Sequence, residues 1–244
     1  MSKPKVVFID IERAPSLGWV WGKWEQNVID MEQDWYMLSF AWRWAGDKTV
    51  HVLSLADYTQ TYKANPQDDC ELARALWSVL DTADVVVAHN GDRFDVPAAN
   101  TRFLAHGLKP PSPYRTVDTL KVARRMFKFD SNKLDDLGRA LKIGRKMHHE
   151  GFPLWQACMK GDMKAWAKMK AYNQKDVILL EKVYKRMQAW VPSHPAVIPG
   201  ATDGCPRCGS DHVQKRGFHY TPAGRAKQQY QCQKCGGWFM GRAA

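Results

Sequence analysis

The chain moves between two hydrophobic rhythms, one of period two and one near three and a half, and the switches between them outline its elements. Residues 5–12 (Lys-Val-Val-Phe-Ile-Asp-Ile-Glu) are apolar on both faces, which predicts a strand in the middle of a covered sheet. Residues 36–44 and 49–55 predict two more strands, with Gly46-Asp47 as the hairpin turn between them. A helix over 69–81 precedes a second buried strand over 84–89. Another helix is predicted from near Asp95, with Pro97 in its first turn. A short strand over 116–120, helices over 121–127 and 133–141, and a long helix from near Asp162 to about Trp190 complete the pattern. Three early strands followed by alternating helix and strand predict an α/β domain with a mixed sheet. Val191 to Gly200 hold three prolines and a glycine, so 1–190 is expected as one domain, 191–203 as a stiff linker and 204–244 as a small module. Such a linker implies few contacts across the boundary.

Acids interrupt this pattern at informative places. Asp10 and Glu12 are two apart, so on a strand they share a face with Val6 and Phe8. Either the strand emerges into solvent there, or the acids line a site at its carboxyl end, where open α/β sheets place them. On the long helix, Met169, Tyr172, Asp176, Leu180, Val183, Met187 and Trp190 follow steps of three and four and form one core-facing stripe. A carboxylate inside such a stripe needs a cation, either a metal or a partner such as Arg. Asp95 follows the buried strand directly and is a candidate helix N-cap, a role compatible with a metal site.

Charge and cysteine usage change the picture next. A formal net charge of +11 favours a polyanionic partner. No apolar run is long enough to span a membrane, and Met1 to Lys5 lead into a strand without a signal-like segment, so a cytosolic location is expected. Cys70 and Cys158 are isolated and are expected to be small buried hydrophobes. Cys205-x-x-Cys208 and Cys232-x-x-Cys235, separated by 23 residues and each followed by Gly, form a Cys₄ signature for one structural Zn²⁺. His212 and His219 lie nearby as substitute ligands. Between the pairs Lys215, Arg216, Phe218, Tyr220, Arg225, Lys227 and Tyr230 interleave cations with aromatic rings, as a surface for a nucleic-acid strand does. The alternative is ordinary solvated surface. Trp42 and Trp44 alternate with Arg43 and are expected to pack in the core. Trp19, Trp21 and Trp24 fall in an expected loop and are candidates for stacking on unpaired bases.

Asp10-Ile-Glu12, then Asn90 through Phe94-Asp95, then Tyr172-x-x-x-Asp176 occur in the order of the three exonuclease motifs of the DEDD family with tyrosine in the third. Over residues 5 to about 190 the chain resembles the proofreading exonuclease domain of family B DNA polymerases. Thr116 to Leu120 and Ser131 to Leu137 resemble that family's connecting strand and helix. With the ribbon included, it is similar to standalone exonuclease-like proteins of the ribonuclease-H fold, often found in bacteriophages, which would put it in the host cytoplasm. Arg13 departs from the pattern, where Thr is usual, and leaves the nucleotide contact at that position open.

The resemblance implies a two-metal 3′–5′ exonuclease using Mg²⁺ or Mn²⁺. Asp10 would bridge both ions, Glu12 and Asp176 would complete the nucleophile-side ion, and Asp95 would support the other. Tyr172 would orient the attacking water, and Asn90, Arg13 and Trp21 are further candidates for touching nucleic acid. DNA is favoured over RNA as substrate, and 5′-mononucleotides are the expected product. A structure-selective endonuclease or ribonuclease with the same carboxylates, and a catalytically silent nucleic-acid-binding adaptor, are the competing readings.

Overall fold

The computed structural model describes residues 4–24, 27–191 and 204–240. The linker expected over 191–203 therefore lies, beyond Val191, outside the described residues.

Strand β1 (Val6–Arg13) is the middle of a five-stranded mixed sheet. It pairs antiparallel with β4 (Met37–Trp44), which pairs antiparallel with the edge strand β5 (His51–Ser54). A separate two-stranded hairpin, β2 (Leu17–Trp19) and β3 (Asp30–Gln33), lies between β1 and β4 in the chain. On its other side β1 runs parallel to β6 (Val85–Ala88), and β6 to β7 (Arg115–Asp118). Side chains alternate across β1, so each face joins its own core. Val7, Ile9 and Ile11 pack with Leu72, Leu76 and Leu80 of α2 (Cys70–Thr82) and Phe103 of α3 (Asp95–Ala105). Phe8 faces the other way, among Val122 of α4 (Thr119–Met126), Leu137 of α5 (Leu134–Ala140) and Val177 and Val183 of α7 (Met163–Met187). Two short helices, α1 (Thr59–Ala64) and α6 (Phe152–Met159), complete the domain. No helix among the described residues is long and apolar enough to cross a membrane.

The expected strands and long helices are present, with differences that have local causes. The helix expected from 121 already starts at Thr119, because the Asp118 carboxylate accepts the Leu120 and Lys121 N–H groups and caps it. Helices α1 and α6 and the hairpin β2/β3 lie in stretches without clear period. Trp19 therefore sits on a strand and not in a loop. Trp190 leaves the core stripe: it lies in a 3₁₀ turn after α7, is 56% exposed, and sets its ring edge-on against Phe127. Trp42 and Trp44 pack against the first core as expected, while Arg43 between them reaches Glu181 of α7 at 2.9 Å. Cys158 is buried, but Cys70 is only half-buried, at the first turn of α2.

The C-terminal module is a three-stranded antiparallel sheet of β8 (Val213–Tyr220), β9 (Ala226–Cys232) and β10 (Trp238–Met240), with β9 in the centre. It touches the larger domain more than a stiff linker implies. Gln188 Nε2 donates to the Arg207 carbonyl at 2.6 Å, and Arg207 Nε to the Val191 carbonyl at 3.2 Å. A cavity of about 720 Å³ lies where Phe127, Phe129 and Trp190 meet Cys208, Lys234 and Cys235.

Candidate active site

Pairing of β1 with β6 ends at Phe8, so more than half of β1 runs past its parallel neighbour. There the carboxylates of Asp10 and Glu12 project on the Phe8 face, toward α7. Asp176 of α7 meets them: one oxygen of each of the three lies within 4.8 Å of the others. The sequence alternative of a strand emerging into solvent does not hold, because neither Asp10 nor Glu12 is exposed. Burial, reinforced by the neighbouring acids, raises Asp10 well above its ordinary range. The same causes push Glu12 up to about 8, and burial raises Asp176. Three such groups in one place repel one another and call for cations.

Asp95 stands apart from that trio. The cap of α3 is Phe94, and Asp95 is the first helical residue, which corrects the N-cap expectation. Its carboxylate instead accepts the Ile11 N–H at 3.0 Å, the donor left without a strand partner where β1 outruns β6. Burial moves Asp95 up to about 7, against the lowering effect of that hydrogen bond. The loop before it is held by Asp118, which accepts the N–H groups of Asn90 at 3.0 Å and Asp92 at 3.4 Å. Asn90 adopts φ of +67°, a turn that Asn tolerates well. A Cβ on Gly91 would come within 2.4 Å of the Ala88 Cβ, so only glycine fits that turn.

Several neighbours escaped the sequence reading. Asn173 donates through Nδ2 to Asp10 Oδ2 at 2.6 Å and accepts from the Ser39 hydroxyl at 3.1 Å. Its spacing, three residues before Asp176 and four after Met169, placed it on the acidic stripe and could have found it. Trp155 of α6 hydrogen-bonds Glu12, and its ring stands edge-on to Tyr172. Lys146 is the most consequential. Its ammonium pairs with Asp176 Oδ2 and donates to the Tyr172 hydroxyl at 3.0 Å. Burial opposes that charge, but Asp176, Tyr172 and Asp10 more than compensate and raise Lys146 above its ordinary value. Asp176 thus has the cationic partner foreseen as the structural alternative, although a lysine in place of Arg. Lys146 sits in a polar run with no periodicity, so no pattern marked it. Gly138 lets that loop approach α7, since a Cβ there would lie 2.5 Å from the Gly144 carbonyl and 2.8 Å from Leu179.

Three oxygen donors converging on one point suit hard divalent cations. The other Asp176 oxygen, Oδ1, is buried without a hydrogen-bond partner, so acceptor capacity remains there after Lys146 has bound. The set fits a metal ion on that observation. Tyr172 is buried beside it, and its hydroxyl is raised by burial and by Asp176 and Glu12, so it stays protonated and can donate. A cleft of about 450 Å³ opens next to Glu12, walled by Arg13, Phe94, His149, Phe152 and Trp155. Arg13 lies over the Trp35 and Phe94 rings, 4.9 and 5.2 Å from their centres, and so stands in the cleft wall. Trp21, at 90% exposure, and Trp24 are on the surface.

In the ribbon the four cysteine sulfurs converge, with Cys205 to Cys235 at 3.7 Å and Cys208 to Cys232 at 3.6 Å. Tetrahedral thiolates on zinc are roughly 3.8 Å apart, so the set fits. Burial works against a Cys232 thiolate, but the N–H groups of Cys235 and Lys234 outweigh it and hold the thiol down at about 7. Gly209 and Gly236 take φ of +76° and +75° at the knuckles. Neither His212 nor His219 joins the cluster. A bulge between Lys215 and Phe218 keeps both on one face of the sheet. Lys215 lies opposite Tyr230, Phe218 opposite Gln228 and Tyr220 opposite Ala226, and Tyr230 stacks on Phe239 at 5.4 Å. Phe218 and Tyr220 are exposed, so these rings cover no core.

The family model of the RNase_H superfamily matches residues 29–188. The match covers Asp95, Tyr172 and Asp176 and begins after Asp10 and Glu12, whose place at the site rests on the geometry above. No curated protein matches the chain.

Proposed function

The chain belongs to the RNase_H superfamily, a family of metal-dependent nucleases with acidic sites, and from that premise we propose that it is a 3′–5′ exonuclease acting on DNA at single-stranded or 3′ ends. The observation that carries this reading is the meeting of Asp10, Glu12 and Asp176 with an unpartnered buried oxygen on Asp176. Asp10, Glu12 and Asp176, with Asp95 alongside, would hold two Mg²⁺ or Mn²⁺, which when bound neutralise charge on the phosphate and make the attacking water more acidic.

The protein's own groups do the rest. Asn173 fixes the rotamer of Asp10 through its side-chain amide. Asp95 clamps the overhanging end of β1 through the Ile11 N–H and so sets where Asp10 and Glu12 point. The Tyr172 hydroxyl orients the water and does not act as a strong base, because its proton is held more firmly than in free tyrosine. Lys146 supplies positive charge beside Asp176, suited to a phosphate oxygen entering there. The cleft of about 450 Å³ beside Glu12, with Arg13 and Trp155 in its wall, would take a terminal nucleotide. Asn90, Trp21 and, on the ribbon, Lys215, Arg216, Phe218, Tyr220, Arg225, Lys227 and Tyr230 would carry the strand by charge and stacking. The ribbon cysteines would hold one structural Zn²⁺ with no open coordination position.

The test is incubation of the purified chain with 5′-labelled DNA and RNA in Mg²⁺ or Mn²⁺. A DNA ladder shortening from the 3′ end is expected. Internal cuts or a preference for RNA would overturn the exonuclease assignment, and absence of any product would favour a silent adaptor.

A further inference from the structure

A second set of metal-ligating side chains lies outside the carboxylate site and the ribbon. Asp68, Cys70 and His106 each offer a ligand atom, and the three atoms lie within 4.8 Å of one another. They join the start of α2 to the end of α3: Cys70 is the first residue of α2, and His106 is the residue that ends α3.

The surroundings orient these groups. Asp69 is the N-cap residue of α2, yet its side chain does not cap the helix. Its fully buried carboxylate instead accepts from the Met37 N–H at 2.7 Å, Arg102 at 2.6 Å and the His106 ring at Nε2, 2.5 Å away. Arg102 Nη2 also lies 3.2 Å from that ring nitrogen. A proton on Nε2 satisfies the short contact to the carboxylate, and in the neutral ring so protonated Nδ1 is the lone-pair donor. This is the carboxylate–histidine arrangement that fixes the tautomer of metal-bound imidazoles. Asp68 accepts the Cys70 N–H through Oδ1 at 2.9 Å, which leaves acceptor capacity on its carboxylate for an ion.

We propose that Asp68, Cys70 and His106, with Asp69 orienting the imidazole, form a binding site for a zinc-class divalent ion that ties α2 to α3. One thiolate, one imidazole and one carboxylate make a mixed donor set that suits zinc over Mg²⁺ or Ca²⁺. Tetrahedral ligands on zinc stand roughly 3.5 Å apart, so a small closure of the three groups around the ion suffices, with water in the fourth position. Cys70 must lose its proton on binding, which goes to solvent.

The full chain would be purified, exposed to Zn²⁺, desalted and analysed for zinc. Comparison with Cys70→Ser cancels the ribbon's contribution. The wild type is expected to hold one more zinc per chain than Cys70→Ser or His106→Asn, and an equal content overturns the site. In the same wild-type samples, iodoacetamide labelling of the Cys70 peptide should fall at least tenfold on adding Zn²⁺, with buried Cys158 as an internal control. Labelling that zinc does not change, or protection that persists in His106→Asn, also overturns it. The wild-type labelling comparison, with and without Zn²⁺, does not depend on the folding of a variant.

Discussion

The carboxylate site and the cysteine ribbon both gather anionic ligands, but they stand in opposite relations to the fold. Asp10, Glu12 and Asp176 come from β1 and α7, far apart in the chain, and a sheet with two cores on its faces holds them together before any ion arrives. Lys146 already neutralises part of their charge. In the ribbon, the ligands come from two knuckles within one short segment, and β8 is exposed along nearly its whole length. That segment has little apolar core of its own, so a bound ion would supply its cohesion. One site is made by its fold, and the other would make it.

The largest effect should come from removing zinc. Structural zinc contributes about 10–16 kcal/mol of apparent binding energy, far above the stability of so small a sheet. Treatment with a strong chelator should collapse the signals of β8 and β9 in hydrogen exchange while leaving β1, β4 and α7 protected. Loss of protection in both regions together would end the contrast.

Next, Asp10→Ala or Asp176→Ala should reduce hydrolysis by about 10³-fold or more, equivalent to about 4 kcal/mol of transition-state stabilisation. Folding and zinc content should be unchanged, as circular dichroism and metal analysis would report. Near-native activity in either variant would remove the carboxylate trio from the chemistry.

A smaller loss is expected from Asn173→Ala, about 10–100-fold, because the amide positions Asp10 without touching the reacting atoms. The Mg²⁺ concentration giving half-maximal rate should rise, and a purely structural role would lower the melting temperature without moving that concentration.

The smallest effect concerns the preformed charge balance. Lys146→Met leaves Asp176 buried without its cation and should destabilise the metal-free chain by about 1–3 kcal/mol, less than for a fully buried pair because about a third of Lys146 is exposed. Mn²⁺ should restore more stability to this variant than to the wild type, as thermal melts would measure. Equal metal effects in the two proteins would show that Lys146 and the ion do not compensate the same carboxylate charge.

Legibility followed the same division. Both cysteine pairs could be read directly, because their ligands are local and spacing alone defines a knuckle. Asp10, Glu12 and Asp176 could be read because each breaks an apolar pattern set by its own element. Asp95 was located, but its partner was not, since the unpaired Ile11 N–H exists only where β6 stops short of β1. Lys146 and Trp155 had no local signal: a loop and a short helix deliver them across the fold. Cys70 was misread as a buried hydrophobe because its exposure depends on how α2 meets α3.

The separation of the acids along the chain has a consequence in time. Asp176 follows Glu12 by 164 residues, so at about 5–20 residues per second a ribosome adds it roughly 8–33 s later. Strand β1 can find β4 and β6 well before that, but α7 is the element that closes the acidic trio. A growing chain therefore carries half a site through most of its synthesis. The acidic trio closes only once the last long helix has docked, so a copy stopped before α7 lacks Asp176 and with it the complete site.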